Sequence, residues 1–164
     1  MNKNIFIIAS IGIAVIGLGG ILLSEKDVPV KNDVLKTASS NQPQVVLHKS
    51  PTCGCCGVWG KYMEKEGYSV AVHETHDLGE VKRSLRVPYD VESCHTAEIG
   101  GYVVEGHIPN EAIIQLLTEK PDIAGIGMAG MPAGSPGMPG PKTGDFVIYE
   151  ITHDGEKGSI FMTI

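Results

Sequence analysis

Three of the four cysteines in this chain fall within "TCGCCGVW", as Cys53, Cys55 and Cys56, and the fourth is Cys94. Cys53 and Cys56 have the C-x-x-C spacing of thiol–disulfide chemistry: on a helix they share a face, while Cys55 projects to one side. At a helix N-terminus, unpaired N–H groups and the positive end of the dipole favour thiolates, so Cys53 can attack a disulfide and Cys56 can resolve the product. The same crowding of soft ligands suits Cu(I), zinc or an iron–sulfur cluster. The spacing speaks against zinc, whose structural sites draw on separate C-x-x-C knuckles. A plain disulfide staple is the remaining reading, and three cysteines at one helix end would tie down little chain.

Further donors surround these sulfurs in the sequence. His95 follows Cys94 directly, His107 ends the next predicted strand, and His48 precedes the loop into the cysteine helix, so each is a candidate ligand. Met128, Met131 and Met138 lie in a segment of glycine and proline, where thioethers bind Cu(I) or serve as apolar filler. Trp59 is read as core, and His73, His76 and His153 as solvated.

The elements that must position these residues can be read from periodicity. "QVVLHKS" predicts a buried strand, followed by a helix that starts near Thr52, capped by Ser50 or Thr52, and stops at Gly67. "YSVAVHE" predicts a second strand and "DLGEVKRSLRV" a helix terminated by Pro88. "CHTAEIGGYVVEGHI" predicts two strands turning at Gly100 and Gly101, and "PNEAIIQLLTEK" a helix capped by Asn110 and stopped by Pro121. The order βαβαββα is that of a thioredoxin-like α/β domain. Cys94 then opens the third strand, whose entering loop packs in such folds against the N-terminus of the first helix, so all four sulfurs meet. Gly54, Gly57 and Gly60 suggest that something approaches that helix closely. Between Gly125 and Lys142 the Gly/Pro/Met-rich loop is expected to be neither helix nor regular strand, and "DFVIYEIT" with "GSIFMTI" predicts a C-terminal β-hairpin turning at Asp154-Gly155.

The 164 residues suit one cored domain with an appendage, and a net charge of -6 without a basic stripe excludes nucleic acid as a natural partner. From Ile5 to Leu23 no residue is charged, a span close to bilayer thickness, with Lys3 on the near side. Residues 1–23 are thus read as a retained membrane anchor in preference to a cleaved signal peptide, residues 24–42 as a polar linker, and residues 43–164 as the folded domain. That domain would be exported, on the periplasmic or extracytoplasmic side, where disulfides and metal–thiol chemistry both occur.

Three separated motifs together resemble a known family: "HKSPTCGCCGVW" from His48, "SCHTAEIGGYVVEGHIP" from Ser93 and "GMPAGSPGM" from Gly130. In this order, over about Gln44 to Phe146, the chain is similar to the CopG family of exported cysteine-containing proteins, long known as a domain of unknown function and associated with copper resistance. The resemblance implies a thioredoxin-like domain whose Cys53, Cys55, Cys56 and Cys94 bind copper and alternate between thiol and disulfide, coupling thiol state to Cu(I)/Cu(II) interconversion in detoxification. Copper, as one or more Cu(I) ions up to a multinuclear cluster, is the expected cofactor, with other exported copper-handling or redox proteins as expected partners. The ending "THDGEKGSIFMTI" departs from the family pattern. The alternative function is a thiol–disulfide oxidoreductase acting on protein disulfides.

Overall fold

The computed structural model describes residues 42–164. The expected anchor and nearly all of the expected linker lie outside the described residues. Among the described residues, no helix is long and apolar enough to cross a membrane.

The chain forms a mixed α/β fold. Strand β1 (Val45–Lys49) leads through α1 (Gly54–Lys65) to β2 (Val70–Glu74), and α2 (Leu78–Ser84) leads through a 3-10 turn at Tyr89–Val91 to β3 (His95–Ile99). Then come β4 (Tyr102–Glu105), α3 (Asn110–Glu119), β5 (Gly125–Gly127), β6 (Val147–Ile151) and β7 (Lys157–Thr163). Among the described residues, seven strands join one sheet in the order β2-β1-β3-β4-β5-β6-β7. β1 runs parallel to β2 and antiparallel to β3, and β3 and β4 form the antiparallel pair that turns at Gly100 and Gly101.

Alternation along the strands divides the apolar residues between two faces. Val45, Leu47, Ala97 and Val104 meet Trp59 and Met63 of α1 and Ile113 and Leu116 of α3 in the main core. Val103, the neighbour of Val104, belongs to a smaller cluster with Val87, Val91 and Ile151. Helix α1 buries Cys56, Trp59, Gly60 and Met63, a three-and-four spacing that turns one stripe to the sheet. Gly60 is where the contact is tight: a Cβ there would lie 3.1 Å from Leu47.

Several element boundaries differ from expectation. Helix α1 begins after Cys53, which is itself the N-cap residue, and neither Ser50 nor Thr52 caps it. Those hydroxyls lie 3.0 Å from one another in the preceding turn. Asn110 is the first residue of α3, not its cap. Its backbone N–H donates to the Tyr62 hydroxyl at 2.8 Å and its side-chain amide to Glu66 at 2.8 Å, so α1 supplies what a cap would have satisfied. Helices α2 and α3 end on left-handed residues, Arg86 (φ 54°) and Lys120 (φ 49°), ahead of the prolines expected to stop them. The segment after Gly125 does contain a strand: β5 lies parallel to β4 and antiparallel to β6. A Cβ on Gly125 would fall 2.0 Å from the Val103 carbonyl oxygen, so glycine is what lets this strand lie so close. The predicted C-terminal hairpin is present as β6 and β7, and through β5 it continues the sheet.

Candidate metal centre

Two loops deliver the cysteines. The Ser50–Cys53 turn, closed by the Cys53 N–H donating to the Ser50 carbonyl at 3.0 Å, feeds the three sulfurs into the start of α1. The loop after the 3-10 turn brings Cys94 to the head of β3. Cys53 and Cys56 are joined as a disulfide with Cα atoms 5.5 Å apart, and Cys55 and Cys94 are free thiols. The Cys94 sulfur lies 3.4 Å from that of Cys56 and 3.9 Å from that of Cys55, and the Cys55 sulfur is 3.6 Å from that of Cys53. All four sulfurs lie within 4.8 Å of one another. The convergence expected from sequence is therefore present.

A second donor set shares Cys94. Its sulfur is 3.0 Å from Nε2 of His107 and 3.6 Å from Nδ1 of His95. Nδ1 of His107 donates to the Pro136 carbonyl at 2.7 Å, so a neutral His107 carries its proton there and turns the Nε2 lone pair to the sulfur. A ring nitrogen fixed by a backbone carbonyl while the other faces a ligand position is the usual arrangement of metal-binding histidines. His95 is fully buried against Trp59 and His107, and its Nε2 has no hydrogen-bond partner among the described residues.

Burial governs the electrostatics. It pushes the Cys94 thiol up to about 12, with the Cys55 sulfur adding to the effect. It holds His95 well below the usual histidine range, assisted by the charges of His107 and Lys82, and it lowers His107 against the opposing Pro136 hydrogen bond. Metal binding works in the other direction on the thiol, because an ion coordinates the thiolate and releases the proton.

The remaining candidates separate. His48 is not part of the centre: on β1 it alternates with Leu47 and Lys49, and its Nε2 pairs with Glu98 at 2.9 Å, beside the His73 ring. Met128 is a core residue, packed with Trp59, Ile108 and Ile126. Met131 is half exposed and lines a cleft of about 520 Å³ with Tyr89, Glu92 and Cys94, while Met138 is half buried in the loop.

Sequence reasoning missed the loop's second role. Gly137 (φ +87°) rests on α1, where a Cβ would lie 2.8 Å from the Trp59 nitrogen and 2.9 Å from the Cys55 carbonyl oxygen. Of the three helix glycines only Gly60 is closely approached, by Leu47, while Gly54 faces open space and Gly57 meets Lys49 at an ordinary 3.9 Å; the loop's own close approach depends on Gly137. It missed Glu105 and Lys82 too. Their signal was a carboxylate at the end of the apolar run "YVV" and a lysine on the sheet-facing side of α2.

The fold and the sulfur cluster define an α/β thiol protein with convergent soft donors. Two solved structures, titled copper resistance protein CopG in forms 2 and 1, match it at 37% and 38% identity with TM-scores of 0.69 and 0.68. Each match covers 75% of this chain and 98% of the solved one. The chain belongs to the CopG family. A family model described as a protein of unknown function, DUF411, matches residues 91–138, which include Cys94, His95 and His107. No curated protein matches.

Proposed function

We propose that this chain is an exported copper-handling protein in which Cys53, Cys55, Cys56 and Cys94 bind Cu(I) when reduced and couple thiol oxidation to copper redox. The observation that carries this reading is the approach of four sulfurs to within 4.8 Å in a member of the CopG family. With the disulfide closed, the thiols of Cys55 and Cys94 remain, with Nε2 of His107 beside the latter. Reduction adds two thiolates, giving a set of soft donors suited to one or more Cu(I) ions. The exchange balances in both directions. Two thiolates give one electron each to two Cu(II) ions, forming the Cys53–Cys56 bond and two Cu(I) ions; in reverse, two Cu(I) ions open the disulfide.

The strand order β2-β1-β3-β4, with helices in the order of the sequence, supports a thioredoxin-like reading of residues 43–164. The uncharged span from Ile5 to Leu23 supports export with a retained anchor, and Ser24 to Gln42 would form the linker. Anaerobic titration of the reduced chain with Cu(I) against a chromophoric chelator tests the reading. Tight binding is expected, and affinity no greater than that of a variant with all four cysteines changed to serine would end it.

A second reading has one observation in its favour. Cys53 is partly exposed at the α1 N-cap while Cys56 is fully buried, the asymmetry of an attacking and a resolving thiol. Copper-independent turnover in an insulin-reduction assay would favour a thiol–disulfide oxidoreductase with Cys53 and Cys56 as its catalytic pair.

A further inference from the structure

Lys82 is the one buried residue of α2, and its ammonium pairs with the fully buried carboxylate of Glu105 on β4. Taking two charges out of water is costly, and apolar residues of similar volume would commonly pack there with no loss of stability. The pair makes further contacts around the cysteine loop. Glu105 accepts the Ser93 backbone N–H at 2.7 Å and the Thr96 hydroxyl at 2.6 Å, and Lys82 donates to the same Thr96 hydroxyl at 3.1 Å. Ser93 precedes Cys94 and Thr96 follows His95, so one carboxylate grips the chain on both sides of the Cys94–His95 dipeptide. Two residues beyond Glu105 stands His107, whose Nε2 meets the Cys94 sulfur. Gly106 (φ +84°) makes the bend between them, and its N–H donates to the His95 carbonyl at 3.1 Å.

We propose that Lys82 and Glu105 are positioning residues that lock Cys94, just before β3, and His107, just after β4, at a fixed separation facing the sulfurs of α1. This deepens the copper reading and rests on it. Neither side chain is a ligand; they act through the loop, keeping the Cys94 half of the centre in place while the α1 half changes between disulfide and thiols.

The test compares the full-length chain with the double variant Lys82→Met/Glu105→Leu, which fills the volume without charge, and with Thr96→Val, which removes only the bridging hydroxyl. Two readouts are used: Cu(I) affinity of the reduced protein, and, in the disulfide form without copper, the alkylation rate of Cys94 relative to Cys55 by mass spectrometry. A folded double variant is expected to bind Cu(I) about 10–100-fold more weakly, the usual cost of losing support behind a ligand. Its Cys94-to-Cys55 alkylation ratio should rise about tenfold as the loop opens locally. Wild-type affinity and ratio in a folded double variant would overturn the proposal. Should that variant fail to fold, Thr96→Val must shift both readouts in the same direction, and its failure to do so is equally decisive. Absence of Cu(I) binding by the wild-type chain would defeat the copper reading, and the alkylation ratio would still report on the positioning role.

Discussion

The single contact between His107 Nδ1 and the Pro136 carbonyl sets the tautomer of the neutral ring. That contact joins the Gly/Pro/Met loop to Cys94 through one side chain. The histidines also carry a pH signature. Burial lowers both His95 and His107 in the folded state, whereas in the unfolded chain each takes a proton at the ordinary value of about 6.5. Below that pH the unfolded state binds more protons, so this contribution to stability is absent above it and grows increasingly unfavourable as pH falls. His95 faces Cys94, His107 and Lys82, and Glu105, raised by burial against the pull of Lys82, acts with the opposite sign above its unfolded value. A difference measurement isolates the histidine effect. The unfolding free energy of the copper-free wild type minus that of His107→Gln should fall between pH 7 and pH 5, measured by urea denaturation. A flat difference would show that His107 is not held neutral by burial.

Among the elements, the loop and α1 are fitted to one another through Gly137. At φ +87°, with the Trp59 nitrogen and Cys55 carbonyl in the path of any Cβ, Gly137→Ala must displace the loop or the helix start. A loss of about 1–3 kcal/mol in stability is expected, the usual cost of overpacking or of a strained backbone position. The carbonyl of the preceding Pro136 should withdraw from His107 at the same time. Denaturant unfolding together with the NMR tautomer of His107 would check both. Elements with strong periodicity were legible in sequence: β1, α1, the β3–β4 turn at Gly100 and Gly101, and α3. What escaped was decided by neighbours. Asn110, expected to cap α3, is its first residue with its N–H taken by the Tyr62 hydroxyl, and pairing with β4 made a strand of Gly125–Gly127 in a stretch that composition marks as irregular.

At the scale of the whole molecule, the disulfide contributes to stability about as much as one core side chain, so the fold does not depend on it alone. A bridge separated by only three positions closes so short a loop that chain entropy assigns it about 2 kcal/mol, comparable to burying one large apolar side chain. The main core holds many such residues, Trp59, Leu47, Ile113, Leu116, Ile126 and Ile148 among them. Mild reductant should therefore lower the unfolding midpoint by roughly 5–10 °C and leave the transition cooperative, as followed by circular dichroism. Loss of cooperative unfolding would instead identify the bridge as a structural staple. Residue chemistry, the spacing of Cys53, Cys55 and Cys56, and the order of the periodic elements are local or periodic properties, and for that reason the sequence alone determined them. The approach of Cys94 to the α1 sulfurs, the pairing of His48 with Glu98, the burial of Met128 in the main core, the tautomer of His107, and the grip of Lys82 and Glu105 on the Cys94 loop depend on which face a side chain occupies and what lies opposite it. Only the tertiary structure decided these, because such contacts join residues far apart in the chain through packing that no local pattern encodes.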